Sequence, residues 1–246
     1  MDCGDAGCPV PDKMSLWDRL RARSEYPLDV LLSITNRCPL SCSHCYIAHR
    51  SSVGELTTAE IVSLLEQLAG LGVLRLTLTG GEPAVREDLL EIAAEARRLR
   101  FALVLKTSAV LFNGDDIEAL RRAGVVELHA SIYHPSAEHH DRFVGRDGAW
   151  RRAVAALDRF RALGGVARAN TPVMAWNVEA LPELVSMYEE HGWDYAVDPR
   201  IVAREDGCAE PRGLRVSDSA LDGLLRDGRI AESISYICPQ AMQTRI

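Results

Sequence analysis

Cys38, Cys42 and Cys45 crowd into one short segment, TNRCPLSCSHCY, which spans residues 35–46. With three and then two residues between them, three thiolates can converge from one loop onto one small object. Three thiolates hold three irons of a four-iron cluster and leave the fourth iron without a local protein ligand. Electron-transfer clusters are ordinarily held by four cysteines, so the missing fourth is the informative part. An open metal position can take a substrate or cofactor, as the open position of a catalytic zinc does. A zinc site built from the three cysteines and His44 is the competing chemistry, although adjacent residues such as His44 and Cys45 are poorly placed to reach one ion.

These residues need a scaffold, and the pattern supplies one. The apolar run at residues 28–34 reads as a strand that ends at the cysteine segment. Thr57-Thr58-Ala59-Glu60 has the form of a capping box, with Ile61, Leu64, Leu65 and Leu68 following at helical spacing. Residues 73–79 form the next strand, broken by Gly80-Gly81-Glu82-Pro83. Glycines let a backbone approach a ligand closely, and a carboxylate or carbonyls can accept from an ammonium group. The plainer reading is a turn that ends a strand. The cycle continues with strands at 101–107, 125–132, 166–173 and 193–202, and helices at 87–99, 115–123, 150–163 and 181–191. About six β/α units with crossovers this long predict a parallel sheet, and six are too few to close an eight-stranded barrel. The expected fold is therefore α/β, a partial (β/α)6 TIM-like barrel. Its core domain spans residues 28–205, with an irregular segment at 1–27 and a C-terminal segment at 206–246. One short helix capped by Ser217 is expected in that last segment.

Composition narrows the classes. A formal charge of −7, with 28 basic residues of which only Lys13 and Lys106 are lysine, argues against nucleic acid as a partner. No apolar stretch approaches the roughly 20 residues that cross a bilayer, so no membrane role is expected. The polar, acidic opening MDCGDAGCPVPDK does not read as a secretory signal, and the expected location is cytoplasmic.

CPLSCSHCY, just after the first strand, resembles the CxxxCxxC signature of the radical S-adenosylmethionine (SAM) superfamily, and GGEP at 80–83 matches a second element of that family. The resemblance implies a 4Fe–4S cluster on Cys38, Cys42 and Cys45, whose open iron is chelated by the methionine part of SAM. It implies reductive cleavage of SAM to a 5′-deoxyadenosyl radical that takes hydrogen from a substrate, fed by an external one-electron donor of flavodoxin or ferredoxin type. Gly80, Gly81, Glu82 and Pro83 would meet the cofactor's amino group, and His44 would pack near the adenine. Thr107 and Ser108 would reach the ribose, where relatives often carry Thr-Asn-Gly and this chain has Ser108 and Ala109 instead. Ser131 would lie near the ribose and carboxylate. Arg168 and Asn170 would reach the cofactor carboxylate or the substrate, with His134 and Asp141 lining a substrate cleft. Otherwise His134, with His129, His139 and His140, reads as a surface or rim residue.

The order of elements over about 28–205 resembles the peptide-modifying branch, whose members carry a C-terminal SPASM or twitch extension with auxiliary clusters. The implied substrate is a ribosomally made peptide; the alternatives are a small metabolite or tetrapyrrole and, in another class, a non-catalytic iron–sulfur electron carrier or redox sensor. Cys238 sits like the first cysteine of that extension, and the sequence stops at Ile246, so the extension reads as missing or truncated. Cys3, Cys8, Cys208 and Cys238 could build an auxiliary iron–sulfur cluster if the two termini met; four free thiols are the favoured reading.

Overall fold

Thr57 accepts from the Glu60 backbone N–H while the Glu60 carboxylate accepts from the Thr57 backbone, so the capping box opens helix α1 (Thr58–Gly70) as its sequence predicts. In the computed structural model, which describes residues 27–234, this unit is the first of a repeating series. Strands β1 (Asp29–Ser33), β2 (Arg75–Thr79), β3 (Ala102–Thr107), β4 (Val125–Ser131), β5 (Val166–Pro172) and β6 (Asp194–Asp198) alternate with α1, α2 (Leu89–Arg98), α3 (Gly114–Ala123), α4 (Ala137–Val144), α5 (Ala149–Ala162) and α6 (Leu181–His191). All six strands are parallel and each pairs with the next, giving one sheet in the order β1 to β6. This is the expected open, partial TIM-like barrel.

One face of the sheet carries the core. Leu76, Leu78, Leu103, Leu105, Leu128, Ala169 and Val197 pack under Ile61, Leu65, Ile92, Leu120, Leu157, Phe160 and Tyr188 of the helices. Successive strand residues point to opposite faces. The other face, the lumen, therefore receives Arg75, Thr77, Lys106, Glu127, His129, Arg168 and Asp194. The strands are thus not uniformly apolar as a sheet covered on both sides would require.

Three local differences have clear causes. Strand β6 stops at Asp198 rather than running to 202, because the Asp198 carboxylate accepts from the Arg200 backbone N–H at 2.9 Å and turns the chain. Helix α4 was not legible as a helix; its Val144 is buried and Gly145 ends it in the left-handed region at φ 73°. After β6, helix α7 (Asp218–Leu224), capped by Ser217 as expected, is followed by an unforeseen α8 (Gly228–Ile234). Leu224, Ile230 and Ile234 join the main core. The expectations placed on residues 1–26 and 235–246, including Cys3, Cys8 and Cys238, lie outside the described residues. No helix among the described residues is long and apolar enough to cross a membrane.

Candidate functional site

The two sequence motifs meet because their backbones are zipped together. The Gly81 N–H donates to the Thr35 carbonyl and the Glu82 N–H to the Arg37 carbonyl, both at 2.8 Å. A Cβ at Gly80 would stand 2.1 Å from the Thr35 oxygen, and one at Gly81 would stand 2.4 Å from the Arg37 oxygen. Gly80 also holds φ at 143°. The glycines are therefore required by the approach of the two loops to each other. Arg86, almost buried, braces the same arm by donating to the Ile34 and Leu56 carbonyls at 3.0 and 3.1 Å, while Asp88 holds its other side at 2.6 Å.

The far arm of the cysteine loop rests on later parts of the chain. The Ser41 N–H donates to the Val144 carbonyl at 3.0 Å, and a side chain at Gly145 would collide with Ser41. The Tyr46 carbonyl accepts from the Glu205 N–H at 2.9 Å, and the Arg50 guanidinium donates to the Leu40 carbonyl. Leu40 enters a second apolar cluster with Val110, Tyr133, Val144, Met174 and Ile201, against which Cys38 and Cys42 pack.

Cys38, Cys42 and Cys45 are all free and half-buried. Burial pushes the Cys38 thiol up; burial first, then the neighbouring Cys38 and Cys45, push Cys42 up to about 12. Cys42 thus has both of the other cysteines as near neighbours. Raised thiols such as Cys38 and Cys42 are held as thiolates once a cationic group binds beside them, which suits an iron–sulfur cluster. Among the described residues no three His, Cys, Asp or Glu side chains are disposed to hold a single ion. His44 packs its ring on Tyr133 at 5.2 Å and Phe143 at 5.4 Å, which leaves the zinc reading without support.

Glu82 is fully buried, and its carboxylate is saturated. One oxygen accepts from the Ala84 N–H at 3.1 Å and the Thr107 hydroxyl; the other accepts from the Ser108 N–H at 2.7 Å and the Ser108 hydroxyl. Two carboxylate oxygens offer about four acceptor positions in all, and four donors fill them. The Glu82 carboxylate has its four acceptor positions filled, and the Thr107 and Ser108 hydroxyls are turned to Glu82. Pro83 opens a short 3-10 turn, Pro83–Val85, capped by Glu82. What the motif leaves available is the backbone of Gly80 and Gly81.

Ser131 and Tyr133 join the cysteines: the Tyr133 hydroxyl meets Ser131 and Cys42, and burial, then Cys42, pushes its phenol well above the ordinary range. Tyr133, Phe143 and Trp176 form an aromatic wall with His44, Phe143 lying 4.8 Å from each of the other two. The ring nitrogens His44 Nδ1 and Trp176 Nε1 are buried without a partner. The sequence reading missed this wall; its only signal was an aromatic residue following the Ser131 strand end. Asp141 does not line a cleft, since its carboxylate accepts from the Gly148 and Trp150 N–H groups and fixes the start of α5. His129 and His140 are buried rather than rim residues, and Arg168 lies on the lumen face in register with His129.

An open parallel α/β barrel, with three cysteines on the loop after its first strand and a Gly-Gly-Glu-Pro loop bound to them, defines a cofactor-binding barrel with its site at the C-terminal ends of the strands. Residues 32–187 match the sequence profile of the Radical SAM superfamily, and the chain belongs to that superfamily of enzymes. It is 39% identical over 168 residues to a PqqA peptide cyclase of Gluconobacter oxydans, covering 68% of this chain and 47% of that protein. It is 36% identical over 173 residues to an AdoMet-dependent heme synthase of Methanosarcina barkeri, covering 70% and 50%. Among solved structures, Streptococcus suis SuiB bound to S-adenosylmethionine superposes with a TM-score of 0.69 at 20% identity, over 93% of this chain and 51% of SuiB. The chain thus spans about half the length of these relatives.

Proposed function

We propose that this protein is a radical SAM enzyme acting on a ribosomally made peptide. The observation that carries the reading is the zipped pair of loops, which fixes the Cys38, Cys42 and Cys45 segment beside the backbone of Gly80 and Gly81. Cys38, Cys42 and Cys45 would hold a 4Fe–4S cluster, and when bound it supplies the electron that cleaves SAM to a 5′-deoxyadenosyl radical. The chain's own residues do the positioning. The Gly80 and Gly81 carbonyls are the acceptors left for the cofactor's ammonium, because Glu82 is saturated by Thr107 and Ser108. Glu82 holds the β2 and β3 loops in one piece. The wall of His44, Tyr133, Phe143 and Trp176 offers apolar faces and two unpartnered ring nitrogens to an adenine, and it excludes water beside Cys42. Ser131 holds the Tyr133 hydroxyl in place. The peptide assignment rests on the likeness to PqqA peptide cyclases, and the electron would come from a flavodoxin or ferredoxin type donor. The heme synthase likeness supports a tetrapyrrole as the second reading. An auxiliary cluster would need the cysteines outside 27–234, since Cys208 is the one further cysteine among the described residues.

The test is anaerobic reconstitution with iron and sulfide, reduction, and measurement of 5′-deoxyadenosine from SAM. The parent should form it, and Cys42→Ala should lose both the cluster absorbance near roughly 400 nm and the product. A full iron complement in Cys42→Ala, or no deoxyadenosine from the loaded parent, would sink the assignment. Mass change in a co-expressed precursor peptide then separates the peptide from the tetrapyrrole reading.

A further inference from the structure

Lys106, His129 and Arg168 occupy one lateral row of the sheet, Lys106 in register with His129 and His129 with Arg168. Their neighbours Leu105, Leu128, Ala130, Ala167 and Ala169 lie in the core under the helices, so the three row residues face the lumen. Adjacent strands lie about 4.8 Å apart, so an ammonium and a guanidinium bracket the imidazole across roughly 10 Å.

The acids near this row leave the cations underused. Glu127, two residues back on β4, already accepts from Arg75 at 2.7 Å and meets His129 Nε2 at 2.9 Å. Asp198 is engaged by Arg200 at 2.7 Å, and Asp194, largely exposed, stands 3.8 Å from the Arg168 guanidinium. Lys106 makes no hydrogen bond or ion pair among the described residues. The charges that weigh on it most are the cations Arg168 and Arg75, ahead of Asp29 and Asp198. His129 is only 5% exposed, yet its Nδ1 has no partner, and neither has the buried Nε of Arg168. A buried polar atom without a partner costs free energy unless something completes it. The His129 ring gives its Nε2 proton to Glu127, so its Nδ1 is a lone pair that asks for a donor, whereas the Arg168 Nε is an unused donor. That donor, on the same row as an unpaired ammonium, describes a site waiting for an anion with more than one acceptor.

We infer that the Lys106–His129–Arg168 row is a substrate subsite for a carboxylate, the acidic side chain of the peptide held between the Lys106 ammonium and the Arg168 guanidinium. This rests on the reading of a peptide substrate entering the lumen. A carboxylate suits the pair because the guanidinium offers a planar fork and the ammonium a point charge. The other source of the same chemistry is the methionine carboxylate of SAM, and the test separates the two.

The experiment uses the full, cluster-loaded chain with glutarate as probe and glutaramide as its uncharged isostere, at constant ionic strength, followed by the NMR shifts of the His129 ring. Glutarate should bind saturably and glutaramide should not. Lys106→Gln and Arg168→Gln should each weaken glutarate about tenfold, the loss expected for one charge-assisted hydrogen bond, while Lys106→Arg stays close to the parent. The dissociation constant of SAM should not change in any of them. Absence of saturable glutarate binding in the parent would overturn the subsite. So would weakened SAM binding in Arg168→Gln with glutarate binding unaltered, which would give the row to the cofactor. Deoxyadenosine formation is read separately, so failure of the subsite and failure of the radical-enzyme reading have different signatures.

Discussion

Replacing Glu82 by Gln tests whether this residue organises the site or touches the cofactor. The carboxylate faces two pairs of donors, each made of one backbone N–H and one hydroxyl: Ala84 with Thr107, and Ser108 with its own hydroxyl. A hydroxyl can rotate and accept from the new amide NH2 group, but a backbone N–H cannot. Whichever way the amide turns, one buried N–H faces another donor. An orphaned buried donor costs about 1–3 kcal/mol, and the remaining bonds lose the extra strength that an ionised acceptor gives. The expected loss is about 2–4 kcal/mol of stability. For a chain of this size that lowers the melting temperature by roughly 5–15 °C, at about 2–4 °C per kcal/mol. The assay pairs thermal unfolding with SAM binding in the cluster-loaded protein. Glu82→Gln should melt early, and adding Ser108→Ala should cost less in that background than in the parent, because the two residues share a network. An unchanged melting temperature together with weaker SAM binding would refute the argument and return the carboxylate to the cofactor.

Gly81→Ala puts a methyl group 2.4 Å from the Arg37 oxygen and should separate the two loops, so iron content and SAM affinity should fall together; normal iron with weakened SAM binding alone would contradict this. Burial pushes His140 down to about 4, against an ordinary value of 6.5. The unfolded chain therefore binds the extra proton between those values, and stability from this group is full above about pH 6.5 and is lost as pH falls toward 4, by up to about 3 kcal/mol. Urea unfolding across that range should show a shallower decline in His140→Gln than in the parent. Ile230→Ala should cost about 2–4 kcal/mol in the same assay, because Ile230 is fully buried against the main core, and a near-neutral effect would mean that α8 is not part of it.

The repeating frame was legible because β/α alternation depends on local signals. The capping box at Thr57 and Glu60 and the helix at 181–191 both rest on residues close in sequence. The cysteine and glycine motifs were legible for the same reason. The partner of each was not. Nothing local in Glu82 says that Thr107 and Ser108 will saturate it, and nothing in the glycines says that the backbone approaching them is that of Thr35 and Arg37. Helix α4 was hidden because its sequence, AEHHDRFV, buries only His140 and Val144 outright, too few residues to set a period. The lumen row was hidden because Lys106, His129 and Arg168 become neighbours only through strand register.

The cysteine loop is held by pieces made long after it. Its carbonyl at Tyr46 accepts from Glu205, and Ser41 donates to Val144. A ribosome adding roughly 5–20 residues per second makes Glu205 about 10–30 s after Tyr46. Throughout that interval the three thiols leave the ribosome without the contacts that later shape them. The final geometry of the loop belongs to the finished chain, so iron and sulfide delivered to the nascent chain would meet a loop that cannot yet select them. With the cluster ligands proposed above, the order of assembly that follows is translation, then folding, then loading.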